Sequence, residues 1–179
     1  MDIEKGSIYN LLNGQCQYII PVYQRKYSWY ADVHCARLWN DIVKMEKGHK
    51  KHHFVGSIVS IAEKKALMGV QKQLIIDGQQ RMTTLSILMI ALRDYLKEIV
   101  PEDEFEDNIT DMVLKNPKRK GEDAYKMLLT DTDKEVMIKL VDGMKIRRYI
   151  PIIFISKGKL LKEYCHQNKS MSLSQNSTS

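Results

Sequence analysis

The stretch from Leu74 to Arg81, with the sequence LIIDGQQR, decides the predicted fold. Its first three residues are apolar, which is typical of a buried strand, and a polar turn follows directly. Apolar residues then recur at steps of three and four and mark one face of a long helix. These are Met82, Leu85, Leu88, Met89, Leu92, Leu96 and Ile99. The sequence therefore predicts a strand, a polar turn and a helix at the centre of the domain.

The turn has the features of a phosphate site. A helix that begins directly after a strand presents unpaired backbone N–H groups and the positive end of its dipole. Gly78 would let the backbone approach an anion, and Arg81 offers a fork of donors for phosphate oxygens. Asp77 is a candidate ligand for Mg²⁺, and Gln79 or Gln80 is a candidate for orienting an attacking water. The alternative is an ordinary capping box formed by Asp77 and Gln80.

A second polar cluster lies between Pro21 and Trp29. It mixes two cations with aromatic side chains, a combination that can stack a base and hold a phosphate. Tyr23, Gln24 and Arg25 are its candidate ligand residues. The alternative is that Tyr27 and Trp29 anchor the core and that the cations face solvent. The two clusters can act together only if the strands that carry them are neighbours.

Further elements are predicted upstream of the central strand. A short helix is expected from Ile3 to Leu12, and a strand at Tyr18 to Ile20 runs into Pro21, so this strand ends there or lies at a sheet edge. Ser28 is the expected cap of a helix that ends near Gly48. A buried strand is expected from Phe54 to Ile61, with Gly56 and Ser57 interrupting it where a backbone or ligand comes close.

Downstream of the long helix, Pro101 and the acidic run that follows predict a boundary near residue 100. A helix is expected around residues 109–113, a strand at residues 125–129, and a helix opened by the capping box Thr132-x-x-Glu135. Beyond about Arg147 the regular spacing of apolar residues is lost. The predicted organisation is a core domain over residues 1–100, the start of a helical extension over 101–146, and a degraded or disordered tail over 147–179.

Composition limits the class of protein. The chain has 179 residues, of which 44% are hydrophobic, and this suits one globular unit. Its three cysteines are far apart, which fits the reducing cytoplasm, and no segment is apolar enough for a membrane span. The net charge of +6 predicts weak, salt-sensitive DNA binding. His49, His52 and His53 lack acidic or cysteine companions, so a metal site there is not expected.

Four motifs in order carry a family resemblance. The chain resembles the N-terminal domain of the GmrSD-type modification-dependent (type IV) restriction proteins. The motifs are Ile20-Pro21-x-Tyr23-Gln24-Arg25-x-Tyr27-x-Trp29, Leu38-x-x-Asp41-Ile42, His53-Phe54-x-Gly56-Ser57-Ile58-Val59 and Ile76-Asp77-Gly78-Gln79-Gln80-Arg81-x-Thr83-Thr84-Leu85.

The resemblance implies an α+β domain with a ParB/sulfiredoxin-like core, in which a small mixed sheet is packed by helices. It also implies a nucleoside triphosphatase for GTP, UTP or CTP that acts with Mg²⁺, with the Asp77 to Arg81 turn at the nucleotide site. The Tyr23 to Arg25 motif and the Gly56-Ser57 pair would form further walls of that nucleotide site. A non-catalytic sensor of nucleotide or DNA phosphate, or a partner subunit, is the alternative.

The resemblance carries expectations about the rest of the restriction system. In this family a separate C-terminal domain or a partner chain supplies the nuclease, so no nuclease activity is expected from these residues, and a homodimer is possible. The sequence is expected to depart from the family after about residue 145, with a shifted reading frame or a truncated gene as the hypothesis.

Overall fold

A computed structural model describes residues 6–48, 52–63, 69–99 and 105–144. Several predictions fall wholly or partly outside these ranges: the beginning of the first helix, His49, most of the acidic run after Pro101 and the degraded tail. The described residues form an α+β domain with one four-stranded mixed sheet, as predicted. No helix in these ranges is long and apolar enough to cross a membrane.

The helices and strands are interspersed along the chain. Helix α1 (Ile8–Leu12) begins at Ser7, whose side chain accepts a hydrogen bond from the backbone N–H of Asn10 and so caps it. Strand β1, a π turn and helix α2 follow, and then β2, β3 and the long helix α3. The second half adds α4, a further π turn and a short 3₁₀ turn, and ends with β4 and α5. Their bounds are β1 Cys16–Ile19, the π turn Ala31–Cys35, α2 Ala36–Glu46, β2 Val59–Ala62, β3 Gln71–Asp77, α3 Gln79–Ile99, α4 Phe105–Ile109, the second π turn Thr110–Leu114, the 3₁₀ turn Gly121–Ala124, β4 Met127–Leu128 and α5 Asp131–Val141.

The strands lie in the order β2-β3-β1-β4. Strand β1 runs parallel to both of its neighbours, with Ile19 opposite Leu74 on one side and Leu128 on the other, while β2 is antiparallel to β3. Of the two predicted alternatives, a strand that ends at Pro21 is confirmed, and an edge position is wrong. Pro21 follows the end of β1, so its missing N–H interrupts no ladder, and a central position is compatible with it.

The core lies between the sheet and helix α3. Ile75, Met82 and Ile90 have no exposed surface, which confirms the predicted strand and the buried face of the helix after the turn. The same cluster contains residues from both ends of the described chain, from Leu12 to Val141. Burying such apolar surface from distant segments is the main stabilising contribution to a domain of this size.

The residues after the long helix share this core. Ile109, Leu114 and Met137 are buried in it, and β4 is the fourth strand of the sheet. The buried guanidinium of Arg93 on α3 donates to the backbone oxygens of Leu140 (3.0 Å) and Val141 (2.5 Å) at the end of α5. The predicted boundary near residue 100 stays a prediction, but strand pairing and packing connect its two sides.

Several predicted elements differ in extent from the observed ones, among them the strand expected at residues 125–129, which is reduced to β4. The predicted buried strand over residues 54–61 is reduced to β2, which is an edge strand with mostly exposed residues, and Phe54 is 84% exposed. The helix expected from Ser28 begins only with the π turn at residue 31, because the backbone N–H of Ser28 donates to the side chain of Gln80 instead. Helix α5 begins two residues early, after Thr130 and not at Thr132.

Candidate functional site

The carboxyl ends of three parallel strands meet at one edge of the sheet. Strand β1 runs out into the polar segment that begins at Pro21, β3 leads into α3 through Gly78, and β4 leads into α5 through Thr130. Ligands of open sheets with parallel strands bind at this edge, because the helices that follow the strands point their N-termini at it. The two clusters found in the sequence lie on neighbouring strands, which was the condition for them to act together.

A cleft opens between these three connections. It is shallow and partly open to solvent, and its cavity volume is about 10 Å³. Each connection contributes three of its residues, and we refer to this space below as the cleft. Its lining consists of Ile20, Arg25 and Tyr27 from the β1 exit, Gln79, Gln80 and Thr83 from α3, and Leu129, Thr130 and Asp133 from the start of α5.

Gln80 fastens the segment after β1 to the start of α3. Its Oε1 accepts a hydrogen bond from the backbone N–H of Ser28 (2.9 Å), and its Nε2 donates to the backbone oxygen of Lys26 (3.1 Å). The amide is therefore committed to this segment, and the alternative in which Gln80 closes a capping box with Asp77 is wrong. A buried amide with both ends paired to backbone groups is a structural clamp.

Gln79, the first residue of α3, has the opposite environment. Only 7% of the residue is exposed, and it lines the cleft. Its Oε1 has no hydrogen-bond partner among the described residues. A buried amide oxygen without a partner costs about 1–3 kcal/mol, so its retention in the cleft needs a reason.

The other side of the α3 start is occupied by Arg81. Its Nη1 donates to the backbone oxygen of Ser57 (2.7 Å), and its Nη2 lies 3.3 Å from Oδ2 of Asp77. We refer to Asp77, Arg81, Gly56 and Ser57 as the arginine flank. None of the four lines the cleft. The predicted site residues of the turn are therefore divided between the cleft and the arginine flank.

Two glycines shape the arginine flank. Gly56 has φ +105°, and a Cβ atom there would collide with the guanidinium of Arg81. Gly78 has φ +91°, and its Cβ would lie 3.0 Å from the backbone oxygen of Ser57. The close approach that the sequence predicted at both positions is therefore made within the protein, by Arg81 at Gly56 and by the Ser57-Ile58 backbone at Gly78.

The Tyr23 to Arg25 motif is divided among three environments. Gln24 donates from Nε2 to the backbone oxygen of Ile76 (3.0 Å) and so joins the β1 exit to the end of β3. Arg25 lines the cleft, whereas Tyr23 is 72% exposed. Only Arg25 of this motif is placed in the cleft.

Tyr27 behaves as the core anchor that the alternative interpretation described. Its hydroxyl is 2.8 Å from the Oγ1 of Thr84, which in turn donates to the backbone oxygen of Gln80, so the phenol is the donor. Burial raises the pKa of Tyr27 above its ordinary value. Its backbone N–H donates to Oδ2 of Asp133 (3.3 Å), which ties the β1 exit to α5 as well.

Sequence reasoning missed Thr83, Thr130 and Asp133 as site residues. Thr83 lies on α3, one turn after Gln79. Thr130 and Asp133 lie in the cleft through the pairing of β4 with β1, which brings the start of α5 to the same sheet edge. The only local signal was the Thr-Asp repeat from residue 130 to 133, and the capping-box pattern pointed to Thr132 instead. In the described ranges, no three His, Cys, Asp or Glu side chains form a group that could hold a metal ion.

Comparison with known families decides the identity of the fold. The family model described as the N-terminal domain of the GmrSD restriction endonuclease matches residues 8–177. The chain belongs to this family. The GmrSD N-terminal match does not stop near residue 145, so the expected departure from the family at that point is wrong. No curated protein matches the chain. The GmrSD assignment makes this a domain of a restriction system.

Proposed function

We propose that this domain binds and hydrolyses a nucleoside triphosphate, with the phosphates over the N-terminus of α3. The observation that carries the proposal is the convergence of three strand ends on a cleft lined by Arg25 and by Gln79, whose buried side-chain oxygen has no partner among the described residues. Sheet edges of this kind are the usual nucleotide sites of folds with parallel strands.

The phosphate end belongs at α3 and not at α5. Helix α3 has 21 residues and no acidic side chain in its first turn, so the positive end of its dipole is not compensated there. Helix α5 carries Asp133 in its first turn, which makes it unfavourable for an anion. Arg81 lies in the first turn of α3 and uses two of its donors within the protein, so further donors remain for phosphate oxygens.

Asp77 fits the role of a single Mg²⁺ ligand. Its side chain is 61% exposed beside the α3 start, and Mg²⁺ at nucleotide sites takes one or two carboxylates together with phosphate oxygens and waters. Bound Mg²⁺ would neutralise charge on the phosphates. The protein supplies the rest: Arg81 and the α3 amides hold the phosphates, while Gln80 and Gln24 fix the segment that carries Arg25.

The experiment is phosphate release by the purified chain with Mg²⁺ and each of GTP, UTP and CTP, with and without DNA. Hydrolysis that is lost in Asp77→Ala and Arg81→Ala supports the enzyme. Binding of a nonhydrolysable triphosphate without phosphate release supports the second candidate, a nucleotide sensor. That candidate is favoured by one observation: Arg81 and Gln80 already have partners within the protein.

A partner chain or domain that supplies the nuclease remains part of the proposal. The isolated chain should bind DNA weakly through its net charge of +6, and the affinity should fall steeply with salt. A complex that survives about 0.5 M salt would contradict an electrostatic origin, because counterion release makes log affinity fall linearly with log salt.

A further inference from the structure

Two of the four sequence motifs meet at a pair formed by a histidine and an aspartate. Asp41 lies on α2, and its Oδ2 is 3.7 Å from Nδ1 of His53, which precedes β2. Neither side chain is freely exposed, with 18% of Asp41 and 20% of His53 accessible. The two residues are distant in sequence, so only the fold brings the carboxylate to the imidazole. The pair connects α2 to the chain that leads into the arginine flank.

The chain over residues 53–57, which we call the linking segment, has little support of its own. It lies in no helix or strand, and no backbone hydrogen bond joins it to another described residue. The ring of Phe54 is 84% exposed and so does not anchor it in the core. Among the described residues, two polar contacts fix the linking segment: that of His53 with Asp41 at its start and that of Ser57 with Arg81 at its end.

The far end of the linking segment determines where the guanidinium of Arg81 lies. The backbone oxygen of Ser57 accepts from Nη1 of Arg81 (2.7 Å), and Gly56 packs directly against the same group. The other partner of the guanidinium, Asp77, is 61% exposed at 3.3 Å. An acceptor on an irregular segment is placed only as well as the segment that carries it. Loss of the anchor at His53 would therefore allow the Ser57 oxygen to move away from Arg81.

We propose that Asp41 and His53 are positioning residues for Arg81, which act through the linking segment and not on the ligand. The part of this inference that concerns the reaction rests on the proposed phosphate-binding role of Arg81. Oδ1 of Asp41 lies 3.9 Å from Nζ of Lys44 on the same helix, and Oδ2 faces His53. The pair thus fastens the linking segment to α2, so that the guanidinium keeps one orientation beside the start of α3.

The first test follows the Arg81 guanidinium by NMR in the full chain, without any ligand. A guanidinium held by two acceptors rotates slowly about its Nε–Cζ bond, and Arg81→Lys identifies its signals by their loss. His53→Ala and Asp41→Asn should each raise the rotation rate severalfold. His53→Asn should recover part of the wild-type rate, because its amide can still donate to Asp41 from about the place of Nδ1.

Lys44→Ala is the matched control for this rate. It removes the other charged partner of Asp41 and leaves His53 in place, so the rotation of Arg81 should not change. The rate is read from the signals of folded protein, so partial unfolding of a variant does not affect it. An unchanged rotation rate in both His53→Ala and Asp41→Asn overturns the proposal.

The second test measures the affinity of the full chain for inorganic tripolyphosphate with Mg²⁺ by calorimetry. His53→Ala should weaken binding by about threefold to tenfold, and it should have no further effect in an Arg81→Ala background, because a residue that acts through Arg81 cannot act without it. Equal losses in the two backgrounds overturn the positioning role. If neither tripolyphosphate nor any triphosphate binds to the wild type, the proposed nucleotide site is wrong, and the rotation rates alone decide whether the pair positions Arg81.

Discussion

The two sides of the α3 N-terminus are built from adjacent residues and yet differ in how their polar groups are paired. On the arginine flank, Arg81 is held by Ser57 and Asp77 and sits against Gly56, so its position is determined by the protein. In the cleft, Gln79 is buried and its oxygen has no partner within the described ranges. The difference teaches that two adjacent parts of one helix start can be paired very differently: the polar groups of the flank are satisfied within the protein, while the oxygen of Gln79 is not.

Loss of the Arg81 side chain should give the largest effect. Arg81→Ala is expected to lower kcat/KM for triphosphate hydrolysis about 100-fold or more, because a preorganised cation next to the phosphates is removed. Arg81→Lys should recover little of this, since an ammonium cannot hold Ser57, Asp77 and a phosphate at once. Steady-state phosphate release measures kcat/KM, and Arg119→Ala, which changes an exposed arginine, is the control. Near wild-type rates in Arg81→Ala would remove the arginine flank from the mechanism.

Gly56 tests whether the flank holds Arg81 in place. Gly56→Ala should lower the free energy of unfolding by about 2–3 kcal/mol, since a methyl group collides with the guanidinium and φ is +105°. Gly121→Ala is the matched control, because Gly121 also has a positive φ (+61°) but nothing within 4 Å of the added carbon. The control should lose only about 1 kcal/mol. If urea denaturation shows that Gly56→Ala and Gly121→Ala lose the same free energy of unfolding, backbone strain alone would explain the effect at Gly56.

The neighbouring glutamines compare a buried side chain that has partners with one whose oxygen has none. Gln80→Leu should cost about 1–3 kcal/mol of unfolding free energy, since it leaves the N–H of Ser28 and the oxygen of Lys26 without their partner. Gln79→Met should leave stability unchanged or raise it by about 1 kcal/mol, because it removes a buried oxygen that lacks a partner. Thermal melts of both variants measure this. A clear destabilisation by Gln79→Met would show that Gln79 has a structural role.

The Tyr27→Phe substitution should have the smallest effect. It should change how the free energy of unfolding depends on pH, mainly at high pH. The pKa of Tyr27 is raised in the folded state, so the unfolded chain releases the phenolic proton first, near pH 10, and stability falls as pH rises through the folded pKa. Tyr27→Phe should cost about 1 kcal/mol at neutral pH through the lost bond to Thr84, and should reduce the decline above pH 10.

Denaturant unfolding at pH 7 and above pH 10 compares the two proteins, with Tyr30→Phe as a control at a residue that is 70% exposed. Part of the alkaline decline will persist in Tyr27→Phe, since burial also raises the pKa of Tyr18 and of Tyr125. A decline as steep as in the wild type would mean that Tyr27 ionises equally in the folded and unfolded chains.

The sequence alone determined the strand, turn and helix around Asp77, because a buried strand and an amphipathic helix leave regular apolar spacing in the chain. The four ordered motifs also indicated the family, which the match over residues 8–177 confirmed. The roles assigned to individual site residues remain predictions for the experiments above.

Only the tertiary structure decided how the side chains of the turn are distributed. Spacing in sequence does not tell which of two adjacent glutamines is paired with a distant backbone segment. Pro21 also left open whether β1 ends there or lies at a sheet edge, and strand pairing showed that β1 ends before Pro21 in the middle of the sheet. The pairing of β4 with β1 across more than 100 residues brought Asp133 into the cleft beside Gln79. Contacts of that kind depend on strand order, which local periodicity does not encode.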